Sequence, residues 1–192
     1  KDRETIETVI LPLVRNFMAE RGLTLSEEKT KITHISEGFD FLGFNIRKFP
    51  NNTLLTQPSS DAKKRFCDKI RKVIESNKTA KQHSLIKMLN PIITGWGNYY
   101  KYGTSAETFH RVDWEIHRKL WQWARRRHSN KSKGWIKDKY FKTVNGRKWR
   151  FMADMEERSK MRQITLAYLP DIHHEKFAKV RHYANPYDPA DK

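Results

Sequence analysis

Arg111, Arg118 and Arg125 recur at a spacing of seven residues. On a helix that spacing lines them along one side. Arg126 and Arg127 extend the row, and Lys131 and Lys133 follow it. A row of cations of this kind suits a row of phosphates. Trp114 and Trp121 lie among the arginines, and indole rings can stack on unpaired bases. A charge run is more often a plain solvated face. The single sign of this run and its aromatic neighbours favour phosphate contact. All six tryptophans fall between Trp96 and Trp149, where any single ring reads first as part of a core.

Other chemistry is not indicated. There is no phosphate-cradling glycine loop and no nucleophile elbow. The acidic pairs Glu27-Glu28 and Glu156-Glu157 are sequence neighbours, which point apart on a helix or strand and do not converge on a cation. His173, His174 and His182 lack the partners and spacing of a metal site. No catalytic residue and no metal site are expected. The one cysteine, Cys67, allows no intrachain disulfide, which fits a reducing compartment. Lys and Arg number 39 against 22 Asp and Glu, a net +17, so an anionic partner is expected. No stretch is apolar enough to span a bilayer or act as a signal peptide. Nucleic acid is therefore the expected partner, and a membrane is not.

The elements that must carry these residues follow from periodicity. Residues 4–21 read as an amphipathic helix on Ile6, Val9, Ile10, Leu13 and Phe17, with Pro12 predicting a kink or late start and Gly22 a stop. Between Leu23 and Phe49 the period changes, and Phe39 to Ile46 alternates as a β-hairpin does. Pro50, Asn51, Asn52, Pro58, Ser59 and Ser60 mark a linker over 51–60, with Ser60 or Asp61 as the next cap. Residues 61–127 read as helices. Phe66, Ile70, Val73 and Ile74 form one stripe, opposed by Lys63, Lys64, Arg65, Lys69, Arg71 and Lys72. Leu85, Met88, Leu89 and Ile92 form another, and Asn90-Pro91 predicts a new helix start. Phe109, Val112, Ile116, Leu120 and Trp123 form the most regular stripe. Lys101 and Lys119 add to the basic set. Asn145-Gly146 predicts a hairpin turn, and Asn185 to Pro189 an extended tail.

The expected fold is mainly α with a small β-hairpin portion. It divides into a helix and hairpin over 1–50, the linker 51–60, a helical bundle over 61–133 and a basic mixed region over 134–192.

Gly22-Leu23-Thr24-Leu25-Ser26-Glu27-Glu28-Lys29-Thr30, followed by Gly38-Phe39-Asp40-Phe41-Leu42-Gly43-Phe44, resembles the last two palm blocks of group II intron reverse transcriptases. Leu85 to Tyr100, with its Asn-Pro, Gly-Trp and Asn-Tyr-Tyr elements, resembles the signature of that family's maturase domain, domain X. Lys179-Val180-Arg181 to Asn185-Pro186-Tyr187-Asp188 resembles the start of its DNA-binding region.

The resemblance implies a thumb-like bundle that holds intron RNA and a template-primer duplex or target DNA. It also implies that the rest of the reverse transcriptase is a partner. It makes Phe41, Leu42, Gly43 and Phe44 a primer-grip-like hairpin and puts Lys29 near the template-primer. The family's catalytic Tyr-Ala-Asp-Asp does not occur here, so its Mg²⁺ is expected in a missing palm and no cofactor in this chain. The chain is expected to begin after that strand and to stop before the family's nuclease. The expected setting is cytoplasmic, bacterial or organellar, and associated with nucleic acid. Two other readings stay open: part of a reverse transcriptase of another lineage, CRISPR-associated or domesticated, and a non-enzymatic RNA chaperone.

Overall fold

The computed structural model describes residues 3–157 and 159–175. The tail resemblance and His182 lie outside these residues. The chain forms two compact units, residues 1–39 with 46–54 and residues 40–45 with 55–192.

In the first unit, α1 (Arg3–Thr5) and α2 (Leu11–Ala19) are joined by a π-helical stretch, Ile6–Ile10. Pro12 lies at the start of α2, directly after the π-helical stretch, in backbone that is already helical. The expected late start is not seen, since the backbone is helical from Arg3 and a π-helical stretch precedes the proline instead. The apolar stripe on this helix is left open: Val9, Leu13 and Phe17 are each about half exposed or more.

Strands β1 (Phe39–Phe41), β2 (Phe44–Lys48) and β3 (Leu54–Pro58) form a sheet in that order. The predicted hairpin is thus confined to 39–48. Its turn places Leu42 at φ 49° and Gly43 at φ 81°, the left-handed pair that a two-residue hairpin turn needs. The expected linker over 51–60 is corrected. Strand β3 occupies half of it, because Leu54 to Pro58 pair with β2 instead of looping free.

In the second unit, α3 (Ser60–Ser76), α4 (Gln82–Tyr100) and α5 (Ala106–Arg127) enclose the main core. Ser59 caps α3 by accepting from the Ala62 N–H at 3.1 Å, one residue before the expected cap. Ile70, Leu85, Leu89, Ile93, Phe109 and Leu120 are fully buried. Helix α4 runs unbroken through Pro91, which corrects the expected new start. The Asn90 amide does not cap. It donates to the Thr165 carbonyl at 3.0 Å and accepts from the Ala167 N–H at 2.8 Å, so it ties α4 to a distant strand end.

Helix α6 (Lys133–Tyr140) leads directly into β4 (Phe141–Val144), followed by β5 (Arg147–Glu157) and β6 (Lys160–Thr165). These strands form an antiparallel sheet in order β4-β5-β6. The predicted turn is present, with Asn145 at φ 49° and Gly146 at φ 75°. Ile136, Tyr140, Phe141, Phe151 and Ala153 belong to the same buried cluster as the three helices. The expected division at 133/134 therefore falls inside one core, because the α6 and β5 residues complete the helical layer. The fold is mainly α with two small three-stranded sheets.

Candidate nucleic-acid interface

The regular stripe of α5 faces inward, which leaves Arg111, Arg118, Arg125, Arg126 and Arg127 on its exposed side. Their surroundings divide them. Arg111 donates to Glu107 and Arg118 to Glu115, each at 2.7 Å. Both are exposed pairs within one helix, weak enough for a phosphate to replace. Arg118 also lies 5.3 Å from the centre of the Trp114 ring.

Arg127 is committed to the fold. Its guanidinium donates to the Lys78 and Ala80 carbonyl oxygens at 3.0 and 2.6 Å and covers the Trp123 ring at 4.5 Å. Trp123 itself donates from Nε1 to the Asn77 carbonyl at 3.0 Å. Together these two side chains close the turn after α3 against the end of α5.

That closure brings basic residues from two helices to one place. A groove of about 340 Å³ between α3 and α5 is lined by Arg71, Lys78, Lys119, Arg126 and Arg127. A second, of about 700 Å³, opens beside it over the end of α5 and is lined by Arg125, Arg126, Lys131 and Lys133. Gln122 and Arg126 belong to both. Lys78 and Gln122 were not legible as site residues. Each is one ordinary polar residue in sequence, and only the packing of α3 on α5 gives it a place.

The remaining candidates lie elsewhere. Arg65 and Lys69 line a shallow site with Pro91 and Trp96, and Arg65 pairs with Asp61. Arg71, which also lines the first groove, pairs with Asp68 at 3.0 Å. Lys64 and Lys72 are exposed and Lys63 is half-buried. Lys101 is held by Glu175 at 2.6 Å, an ion pair that raises the lysine pKa and lowers that of the carboxylate. Lys29 belongs to the first unit and is exposed in a turn closed by the Ser26 carbonyl.

The hairpin tip rests on α4. Tyr99 and Tyr100 donate to the Leu42 and Gly43 carbonyl oxygens at 2.8 and 3.3 Å. Phe44 stacks on Tyr99 with ring centres 5.5 Å apart. A β-carbon at Gly43 would stand 2.6 Å from the Tyr100 hydroxyl. Phe41 and Leu42 remain exposed.

Trp96 is a core ring, stacked on Phe66 at 4.5 Å and tilted against Phe109 at 5.6 Å. Gly97 lets this helix approach Ile172 and Leu169 closely, while Gly95 has open space around it. His174 stacks on Phe109 at 5.0 Å. Among the described residues no group of three His, Cys, Asp or Glu side chains could hold a metal, and no helix is long and apolar enough to cross a membrane.

Residues 63–141 match the group II intron, maturase-specific domain. No curated protein matches the chain. The maturase-specific segment thus runs from the first turn of α3 to the start of β4. It contains every lysine and arginine of the two grooves. The hairpin tip at 41–44, Lys29 and the whole of β5 lie outside the matched residues.

Proposed function

We propose that this chain binds group II intron RNA through the basic surface of α3, α5 and the 128–133 turn, and thereby favours the splicing-competent fold of that RNA. The observation that carries the reading is the convergence of Arg71, Lys78, Lys119, Arg125, Arg126, Lys131 and Lys133 on two adjoining grooves inside the maturase-specific segment. Cations spread over two helices and a turn can meet several phosphates of a folded RNA at once, which recognises shape before sequence.

In an intact reverse transcriptase the same bundle would also grip a template-primer duplex or target DNA. The tip at Phe41, Leu42, Gly43 and Phe44 would meet the primer strand, with Lys29 near the template. The geometry of Tyr99 and Tyr100 supports this by holding the tip in a fixed, outward-facing turn.

Filter binding to a group II intron RNA at about 50 and about 200 mM salt tests the main reading. Some six phosphate contacts predict a loss of affinity on the order of 10³-fold across that range. Weak binding that ignores salt contradicts it. Equal competition by an unrelated structured RNA of the same length would instead point to a general chaperone.

A further inference from the structure

A second pocket, of about 510 Å³, lies on the opposite edge of α5 from the two basic grooves. It is lined by Asp113, Trp114, His117, Trp149, Arg150 and Tyr168. Its size falls in the range of small-ligand sites. Trp114 is 59% exposed and Trp149 42% exposed, although large rings gain by burial.

The backbone is bent to put Trp149 there. Lys142 faces Arg150 and Val144 faces Arg147, so β5 carries one residue more than β4 between these pairs. Trp149 takes φ 64° at this bulge, a left-handed conformation costly for a bulky side chain. It sets the indole edge-on to His117, ring centres 6.0 Å apart. Strain of this kind gathers where a side chain must be aimed at a ligand.

The polar groups of the pocket are incompletely matched. Arg150 donates from Nη2 to the Leu166 carbonyl at 2.7 Å, but Nη1 is buried without a partner among the described residues. His117 Nε2 is likewise buried and unpartnered, and burial lowers the pKa of its ring, favouring the neutral form. Among the described residues Asp113 accepts one long bond, 3.4 Å, from the Leu169 N–H. Buried polar groups are normally paired, so donors and an acceptor beside exposed rings suit a flat ligand with both on its edge. At the rim, Lys148 supplies positive charge for a phosphate, while Arg147 is paired with Asp171.

We propose that this pocket takes one unpaired nucleobase of an RNA, turned out of a bulge or loop, stacked against Trp114 and Trp149 and held at its edge by Asp113, His117 and Arg150. The inference rests on the RNA-binding reading above and adds a distinct site to it. The basic grooves hold backbone, whereas this pocket selects RNA that can release a base.

Two RNA hairpins test it, identical except that one carries a single bulged guanosine. The full chain should bind the bulged hairpin about tenfold more tightly, within the range a stacked base contributes. A 2-aminopurine at the bulge should be quenched on binding. Trp114→Ala and His117→Ala should each abolish the preference for the bulged hairpin. Trp114 is mostly exposed, so its variant keeps the test valid if the His117 variant unfolds. Equal, salt-dependent binding of both hairpins without quenching overturns the pocket but leaves general RNA binding intact. Failure to bind either hairpin overturns both.

Discussion

The Arg127 guanidinium donates a 2.6 Å hydrogen bond to the Ala80 carbonyl, while the neighbouring Arg126 faces both basic grooves. Two adjacent arginines thus serve different ends. Arg126→Ala should leave the melting temperature unchanged and weaken RNA binding, with the salt slope reduced by about one. Arg127→Ala should lower stability by about 1–3 kcal/mol, since two carbonyl oxygens lose a charged donor. Thermal melts beside salt-dependent binding of both variants would separate the roles. A melt lowered equally by both variants contradicts the division.

Gly97 is a packing requirement. A β-carbon there would clash with Ile172 Cδ1 and stand 2.9 Å from Leu169 Cδ2. Leu169 is fully buried and has little room to yield. Gly97→Ala should cost about 1–3 kcal/mol despite the better helix propensity of alanine. Gly95→Ala, with open space around it, should instead gain up to about 1 kcal/mol. Urea unfolding of the two variants should move in opposite directions.

Asn90 holds both a carbonyl and an N–H of the segment after β6. Asn90→Ala should destabilise by about 1–3 kcal/mol, because both half-buried backbone groups lose their partner. Asn90→Asp keeps the acceptor for Ala167 but puts a carboxylate against the Thr165 carbonyl, and it should be no better. If Asn90 only ended a helix, aspartate would substitute freely. Chemical denaturation of both variants distinguishes the two cases.

Burial pushes the Asp113 carboxyl up to about 6, against the opposing pull of the Leu169 N–H and Arg150. The folded chain therefore holds a proton that the unfolded chain releases. Stability from this group is present below about pH 4 and is lost as pH rises to about 6, leaving a buried carboxylate as a constant cost above that. Asp113→Asn should raise stability at pH 7 by about 1–3 kcal/mol. The gain should shrink towards pH 4. Denaturation midpoints at both pH values check the sign, and a gain independent of pH would contradict it.

Much of this protein follows from local sequence. The stripe from Phe109 to Trp123 buries as its period requires, and so leaves the arginines of α5 outside. Asn145-Gly146 makes its hairpin because both residues tolerate positive φ. The Asn-Pro and Gly-Trp elements mark the maturase-specific segment in the sequence itself, and residues 63–141 match that domain. What misled was also local: Asn90-Pro91 reads as a helix start, and Pro58-Ser59-Ser60 as the end of a loop.

Only the tertiary structure decided which partners distant residues meet. It gave the Asn90 amide to Thr165 and Ala167, so α4 runs through its proline. It paired 54–58 into a sheet. It turned Arg127 from a candidate phosphate contact into a brace for the turn after α3, and gathered Arg71, Lys78 and Arg126 around one groove. The pocket of Asp113, His117 and Arg150 joins α5 to a strand more than thirty residues away. The physical reason is one of range. Periodicity and capping are set by neighbours within a few residues, whereas a long-range hydrogen bond or a shared groove depends on how whole elements pack.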